Sequence, residues 1–196
     1  MTSELRAALG LFAAVLILGF VLKLGGTPAF DPWASRIAAA GRTESGFWLA
    51  LSRIGQGWVV GGIGITVAVC LAFARRSRDA AILVLTVALE MASNPLLKLL
   101  FARVRPALYT HLDQVSDLSY PSGHSAQNAC LYLSLMLLAD RRAGWIGVPL
   151  ALLIGISRVV LGVHWPTDVI GGWMEGAAFA LLGLHAQRTL ASRAHS

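Results

Sequence analysis

The chain has 196 residues, of which 56% are hydrophobic and only 13% charged, and its mean hydropathy is +0.67. An ordinary soluble domain carries about 25% charged residues, so this composition excludes that class. Several apolar runs approach the ~20 residues with which a helix crosses a bilayer, and the alternating ~10-residue segments of a β-barrel do not occur. The sequence therefore predicts an all-α integral membrane protein.

The net charge of +6 comes from basic residues that cluster in short loops between the apolar runs. This distribution is typical of membrane topology and argues against nucleic-acid binding, which would favour a continuous basic stripe. Cys70 and Cys130 lie inside apolar runs without metal-ligand spacing, so we interpret them as small buried hydrophobic residues.

The hydrophobic pattern predicts a single domain, residues 1–196, built as a bundle of six transmembrane helices. The predicted spans are about 7–24, 57–74, 80–102, 122–139, 145–163 and 166–186. The first run continues past Lys23 without a convincing cleavage site, so we interpret it as an uncleaved span.

Residues 27–56 form a polar and aromatic connection between spans one and two. Its apolar residues recur with helical spacing: Trp33 and Ile37, then Phe47, Leu51 and Ile54. Such spacing favours short amphipathic helices at the membrane interface, and a loop packed over the spans is the alternative.

Six spans place both termini on one side of the membrane. Eight arginines flank the spans on that side: Arg6, Arg75, Arg76, Arg78, Arg141, Arg142, Arg188 and Arg193. Five flank them on the other: Arg36, Arg42, Arg53, Arg103 and Arg105. The positive-inside rule therefore predicts cytoplasmic termini in a bacterial-type inner membrane, with the polar clusters described next on the outer face.

The first polar cluster is Lys98 followed by Arg105-Pro106, where span three leaves the bilayer. Seven residues correspond to two helical turns, so a helix continuing that far would present both cations on one face. Two cations on one face suit a multiply charged oxyanion. Snorkelling of both side chains to the interface is the alternative.

The second cluster, Pro121-Ser122-Gly123-His124, opens span four. Ser122 is a favourable N-cap and Gly123 allows a ligand to approach the backbone. The free N–H groups of a helix start bind anions, and His124 would stand beside a phosphate bound there. A capped helix start with an incidental histidine is the alternative.

The third cluster is Ser157-Arg158 with His164 and Asp168. His164 and Asp168 are four residues apart, so the carboxylate can reach an imidazole N–H, as in the base-and-orienter arrangement of nucleophilic catalysis. The neighbouring cations would repel a metal ion, so we predict neither a metal nor a cofactor.

These three clusters, in this order and spacing, resemble the motifs of the type 2 phosphatidic acid phosphatase superfamily. The match includes every defined position: Lys98, Arg105 and Pro106; Pro121, Ser122, Gly123 and His124; Ser157, Arg158, His164 and Asp168. The motifs span residues 98–168, and the six-span layout extends the likeness over nearly the whole chain.

The resemblance implies a metal-independent phosphatase that acts through a phosphohistidine. His164 would attack phosphorus, Asp168 would hold its other nitrogen, and His124 would protonate the leaving group. The non-bridging oxygens would be held by a further set of groups: Lys98, Arg105, Arg158, Ser122 and the Gly123 backbone N–H. Phosphoryl transfer depends mainly on positioning and charge stabilisation, which agrees with these roles.

Glu90 and Glu175 are two further ionisable residues inside predicted spans. A polar path below the site is one interpretation, but hydrogen bonding between spans is favoured because such contacts are common in membrane bundles.

The expected substrate is a lipid phosphate reached from the bilayer, with its identity left open. Undecaprenyl diphosphate, phosphatidylglycerol phosphate, phosphatidate and a lipid A phosphate all fit, and the short outer loops slightly favour a polyprenyl diphosphate or a glycerophospholipid. A lipid phosphotransferase, which passes the phosphoryl group to a lipid acceptor, is the second hypothesis. A non-catalytic lipid-binding or transport protein is the third, and the sequence does not predict the oligomeric state.

Overall fold

The computed structural model describes residues 1–115 and 118–193, and within them all regular secondary structure is helical. The first half contains α1 (Ser3–Gly25), α2 (Phe30–Ala38), a 3₁₀-helical segment (Ala39–Glu44), α3 (Ser45–Ile54), α4 (Gly57–Phe73) and α5 (Ser77–Phe101). The second half contains α6 (Gly123–Ser134), a π-helical turn (Leu135–Ala139), α7 (Ala143–Val160) and α8 (Pro166–Arg193). The predicted all-α membrane fold is confirmed.

A helix occupies each of the six predicted spans, but the helices differ in how well they suit a bilayer. In the described part of the chain, three are long and apolar enough by themselves: Ser3–Gly25, Ser77–Phe101 and Pro166–Ser192. Phe30–Ile54 and Gly57–Phe73, bent by 48°, qualify together as a fourth. The remaining apolar helix, Gly144–Val160, is shorter. The count of six spans stays a prediction.

The connection between α1 and α4 is helical, as its apolar spacing indicated. Trp33, Ile37, Phe47 and Ile54 leave 58%, 59%, 55% and 44% of their surface exposed, whereas Leu51 is buried. α2 also packs against α8, and α3 packs against α7. The connection thus has an exposed apolar face and an inner face that covers the bundle.

The central helix of the bundle is α6, which packs against α4, α5, α7 and α8. The contact with α8 is close because glycines line it: a Cβ at Gly172 would lie 2.9 Å from the Ser125 Cβ, and one at Gly176 would lie 2.7 Å from the Cys130 backbone nitrogen. Close packing within one chain therefore accounts for this small-residue pair.

The last helix is longer than predicted, since it continues beyond residue 186 to Arg193. Polar contacts hold this extension: Gln187 Nε2 donates to Asp79 Oδ1 at 2.7 Å, and Arg188 pairs with Glu4. The sequence prediction ended the span where the apolar pattern ends, and these contacts lie beyond that pattern.

Gly176→Ala is expected to destabilise the protein by about 1–3 kcal/mol, because the added methyl group overpacks the contact between α6 and α8. Thermal unfolding of the purified protein in detergent measures the effect. Gly61→Ala is the matched control, since a Cβ there meets nothing within 4 Å. Equal melting temperatures for the two variants would contradict the packing argument.

Candidate active site

A cavity of about 710 Å³ lies where α5 ends and α4 and α6 begin. Its polar lining contains predicted site residues from all three sequence clusters, together with three amides: Asn94, Lys98, Arg105, Gln114, His124, Gln127, Arg158 and His164. The clusters are separated by up to 66 positions in the chain, from Lys98 to His164, and the fold brings them to one cavity.

His164 lies in the short connection between α7 and α8 and is only 3% exposed. Its backbone N–H and that of Val163 both donate to the Arg158 carbonyl oxygen, at 3.2 and 3.1 Å. Gly162, with a φ of 76°, allows the sharp reversal that this arrangement requires. The turn therefore holds the imidazole and the end of α7 in a fixed relation.

The two nitrogens of His164 have different surroundings. Nε2 lies 3.1 Å from Arg105 Nη1, and a guanidinium can only donate, so Nε2 accepts. Nδ1 then carries the ring proton and faces Ser119 Oγ at 3.4 Å and Asp168 Oδ2 at 3.5 Å. This tautomer leaves the lone pair on Nε2.

Asp168 lies at the start of α8 and is fully buried. Its Oδ2 accepts hydrogen bonds from Ser119 Oγ at 2.5 Å and from the Trp165 backbone N–H at 2.8 Å, while Oδ1 accepts from Arg103 Nη1 at 2.5 Å. The predicted proximity of His164 and Asp168 is present. Ser119 and Arg103, which sequence reasoning did not select, are closer to the carboxylate than the imidazole is.

Lys98 and Arg105 reach the cavity by a route different from the one expected. α5 ends at Phe101, and Ala102 takes a left-handed conformation with a φ of 51°, so no continuous helix joins the two residues. They meet instead at the Leu118 carbonyl oxygen, which accepts from Lys98 Nζ at 2.5 Å and from Arg105 Nη2 at 3.3 Å. The two cations therefore converge across a loop.

Ser122 occupies the N-cap position of α6, as predicted, but in the described part of the chain its side chain makes no capping hydrogen bond to the helix. Its Oγ accepts from Ser125 Oγ at 3.0 Å, and its backbone N–H donates to the Asp168 carbonyl oxygen at 3.0 Å. The starts of α6 and α8 are thereby joined. His124 Nε2, in the first turn of α6, is buried without a hydrogen-bond partner among the described residues.

Arg158, near the end of α7, is 2% exposed and is anchored from two other segments. Its Nη1 donates to Asp113 Oδ2 at 2.5 Å and to Ser52 Oγ, and Ser52 in turn donates to Asp113 Oδ2 at 2.8 Å. Partial burial acts to raise the pKa of Asp113, but the hydrogen bonds from Arg158 and Ser52 and the Arg158 charge together hold that pKa below its ordinary value.

Neither Ser52 nor Asp113 lies in a recognisable motif, so sequence reasoning missed both. Glu175 accepts from Asn94, which lines the cavity, at 2.7 Å and from Ser93 at 3.1 Å, and so links α8 to α5. These are hydrogen bonds between helices, which is the interpretation of Glu175 that the sequence favoured. Glu90 is fully buried, and both of its carboxyl oxygens are without a hydrogen bond among the described residues.

Metal binding needs several convergent ligands, and residues 1–115 and 118–193 contain no group of three or more His, Cys, Asp or Glu side chains that could hold an ion. The absence of a metal requirement stays a prediction.

Comparison with known proteins adds independent information. The family model of the PAP2 superfamily matches residues 79–191. The undecaprenyl-diphosphatase of Sulfolobus acidocaldarius is 32% identical over 75% of this chain and 72% of that protein. Phosphatidylglycerophosphatase B of Bacillus subtilis is 29% identical over 85% of this chain and 87% of that protein. The crystal structure of a transmembrane PAP2-type phosphatidylglycerolphosphate phosphatase from Bacillus subtilis superposes with a TM-score of 0.79 at 26% identity, covering 93% of this chain and 96% of that one.

Asp113→Asn is expected to lower the melting temperature at pH 7 by about 2–4 °C, since a partly exposed ion pair contributes up to ~1 kcal/mol. Because the folded-state pKa of Asp113 is lowered, its contribution is present above the ordinary value of 3.8 and is lost as pH falls through the folded-state pKa. The difference from the wild type should therefore narrow as pH falls from 5 to about 3.

Melting curves in detergent across this pH range measure the effect, and Asp140→Asn, which changes an exposed carboxylate, is the control. A difference that is independent of pH would rule out the ion pair as its source.

Proposed function

Because the chain belongs to the PAP2 superfamily, we propose that it is a membrane lipid phosphatase that works through a phosphohistidine on His164. The observation that carries this proposal is the convergence of Lys98, Arg105, His124, Arg158 and His164 on one cavity. Binding alone does not require a nucleophile, so this arrangement favours catalysis over a lipid-binding or transport role.

In the first half of the reaction, the lone pair on His164 Nε2 attacks the phosphorus atom. The bond from phosphorus to the lipid oxygen, or to the bridging oxygen of a diphosphate, breaks, and His124 donates the proton that the leaving oxygen needs. Its buried Nε2, unpartnered among the described residues, is suited to meet that oxygen. The imidazolium formed on His164 keeps its Nδ1 proton, which faces Asp168 and Ser119.

In the second half, water attacks the phosphohistidine. His124, now neutral, takes a proton from that water, the bond between phosphorus and Nε2 breaks, and inorganic phosphate leaves with His164 neutral again.

The non-bridging oxygens carry the charge that must be stabilised in both steps. Lys98, Arg105 and Arg158 supply positive charge from three different segments, and Gly123 brings the backbone N–H at the start of α6 to the cavity. Ser122, buried beside Gly123, is the further donor of this proposal. Fixed donors of this kind cost little reorganisation during the reaction, which is why preorganised charge accelerates phosphoryl transfer.

The cavity wall also offers a route for a lipid. Pro95 and Leu99 line the cavity from α5, and Leu99 is 71% exposed on the outer surface of the bundle. A phosphate headgroup can therefore occupy the cavity while its apolar chain remains beside α5. The substrate we propose is a polyprenyl diphosphate or the phosphate of a glycerophospholipid, the two kinds of lipid named in these relatives.

The proposed orientation puts both termini in the cytoplasm and the cavity on the opposite face, where a bacterial-type inner membrane meets the periplasm or the exterior. The distribution of arginines between the two sets of loops supports this orientation.

A panel of lipid phosphates tests the function. Purified protein in detergent with a chelator present is expected to release inorganic phosphate from undecaprenyl diphosphate, phosphatidylglycerol phosphate or phosphatidate. His164→Ala should abolish release, Asp168→Asn should slow it while largely preserving substrate binding, and His111→Ala, at a histidine that does not line the cavity, should leave it intact.

If His164→Ala releases phosphate at most of the wild-type rate, His164 is not the nucleophile. Transfer of labelled phosphate to an added lipid acceptor in place of release would identify a phosphotransferase, and no turnover of any lipid in the panel would favour a binding role.

The pH dependence of kcat/KM should be bell-shaped, because His164 must be neutral and His124 protonated. Burial, and after it the charge of Arg105, lowers the pKa of His164 well below its ordinary value, so the acidic limb should lie below pH 6.5. Arg105→Gln removes one of these causes and should move that limb to higher pH, in addition to reducing the rate. Arg42→Gln, at an arginine outside the cavity, is the control, and a flat profile from pH 5 to 9 would count against both assignments.

A further inference from the structure

A second buried charge cluster lies behind Asp168, on the side away from the cavity. It begins with Asp31, a fully buried carboxylate in the first turn of α2. Asp31 Oδ1 accepts from the Thr167 backbone N–H at 2.9 Å, and Oδ2 accepts from Thr167 Oγ1 at 2.7 Å. A residue from the connection between α1 and α4 thus caps the helix that carries Asp168.

Arg103 joins this cap to the candidate active site. Its Nη2 donates to Asp31 Oδ2 at 2.6 Å, and its Nη1 donates to Asp168 Oδ1 at 2.5 Å and to Thr167 Oγ1 at 2.7 Å. The guanidinium is therefore held between two carboxylates, with its carbon 5.8 Å from the centre of the Trp165 ring. Arg103 is 8% exposed.

Stability alone is a weak reason for such a cluster. Removing charges from water costs several kcal/mol per ion, and buried ion pairs replaced by apolar residues are often neutral or stabilising. What the cluster provides is geometry. The planar, rigid guanidinium of Arg103 donates to Oδ1 of Asp168. The other oxygen, Oδ2, therefore faces Ser119, the Trp165 N–H and His164 Nδ1.

We propose that Asp31 and Arg103 are a positioning pair for the phosphatase reaction, which act through Asp168 to orient His164. This inference rests on the proposed function. Arg103 fixes which oxygen of Asp168 faces the imidazole, and Asp31 fixes Arg103 and the start of α8 together. Through Asp31, the helical connection between α1 and α4 thereby contributes to catalysis, although the residues that line the cavity include none from α2.

Asp31→Asn tests the pair with little change in volume. The amide retains an oxygen for Thr167 but loses the charge that holds Arg103. Misplacement of a catalytic group by about 1 Å costs on the order of 100-fold, so a smaller shift should reduce kcat about 10- to 100-fold. KM should stay within about threefold, because the cavity cations are untouched. Phosphate released in detergent is the assay, and the substrate is the lipid phosphate that the wild type hydrolyses fastest among farnesyl diphosphate and the lipids of the panel.

Asp79→Asn is the matched control. Asp79 accepts from Arg76 and Gln187, away from the cavity, so the variant loses an ion pair of similar composition. It should be destabilised at most and keep the wild-type kcat. Equal losses of kcat in Asp31→Asn and Asp79→Asn would show a general effect of instability and overturn the proposal.

A double-mutant cycle with Asp168→Asn separates positioning from a purely structural cap. If Asp31 acts through Asp168, the loss caused by Asp31→Asn should largely disappear once Asp168 is already changed. Losses that multiply in the double variant would mean that Asp31 acts elsewhere and would overturn the pair.

Thr167→Val keeps the test decisive if Asp31→Asn does not fold. This variant removes only the hydroxyl that bridges Asp31 and Arg103, and it should lower kcat several-fold without changing KM. An active wild type whose Thr167→Val and Asp31→Asn variants keep full kcat contradicts the pair alone, whereas a wild type that releases no phosphate contradicts the proposed function and the pair with it.

Discussion

Burial of charge inside an apolar bundle is the constraint on which the candidate site depends. A charged side chain in a low-dielectric interior costs several kcal/mol unless another group pairs with it and satisfies its hydrogen bonds. Here Arg103 meets Asp31 and Asp168, and Arg158 meets Asp113 and Ser52. Each counter-group comes from a different segment of the chain, so the charges that make the site also join these segments.

Because of this constraint, the polar segments that connect the main helices have a structural role. The segment containing α2 and α3 supplies Asp31 and Ser52, and the segment after α5 supplies Arg103, Asp113 and Ser119. In a soluble protein, polar connecting segments of this kind usually lie on the surface. Here they hold the buried ends of α7 and α8 at fixed positions, and His164 lies between those ends. The site is therefore assembled by the segments that connect the main helices of the bundle.

The predictable part of the site consists of residues whose spacing is local. Lys98 and Arg105, or His164 and Asp168, are close in sequence, so their proximity can be argued from spacing and motif resemblance, although the continuous helix expected between Lys98 and Arg105 is absent. Asp31 and Arg103 are 72 positions apart and Ser52 and Arg158 are 106 apart, so no periodicity relates them. A usable signal did exist, because each is a polar residue in a chain with only 13% charged residues.

The helical layout was predictable from hydrophobic runs, and the polarity of α6 has a physical cause of its own. Hydropathy detects helices that face lipid, but α6 is enclosed by α4, α5, α7 and α8. A helix shielded in this way does not need an apolar surface, and α6 accordingly buries Ser125, Gln127 and Asn128. The same shielding allows His124 to lie at its first turn, beside the cavity. Among the helices that occupy the predicted spans, α6 is the least apolar. It is also the one around which the others pack, and its polarity follows from that position.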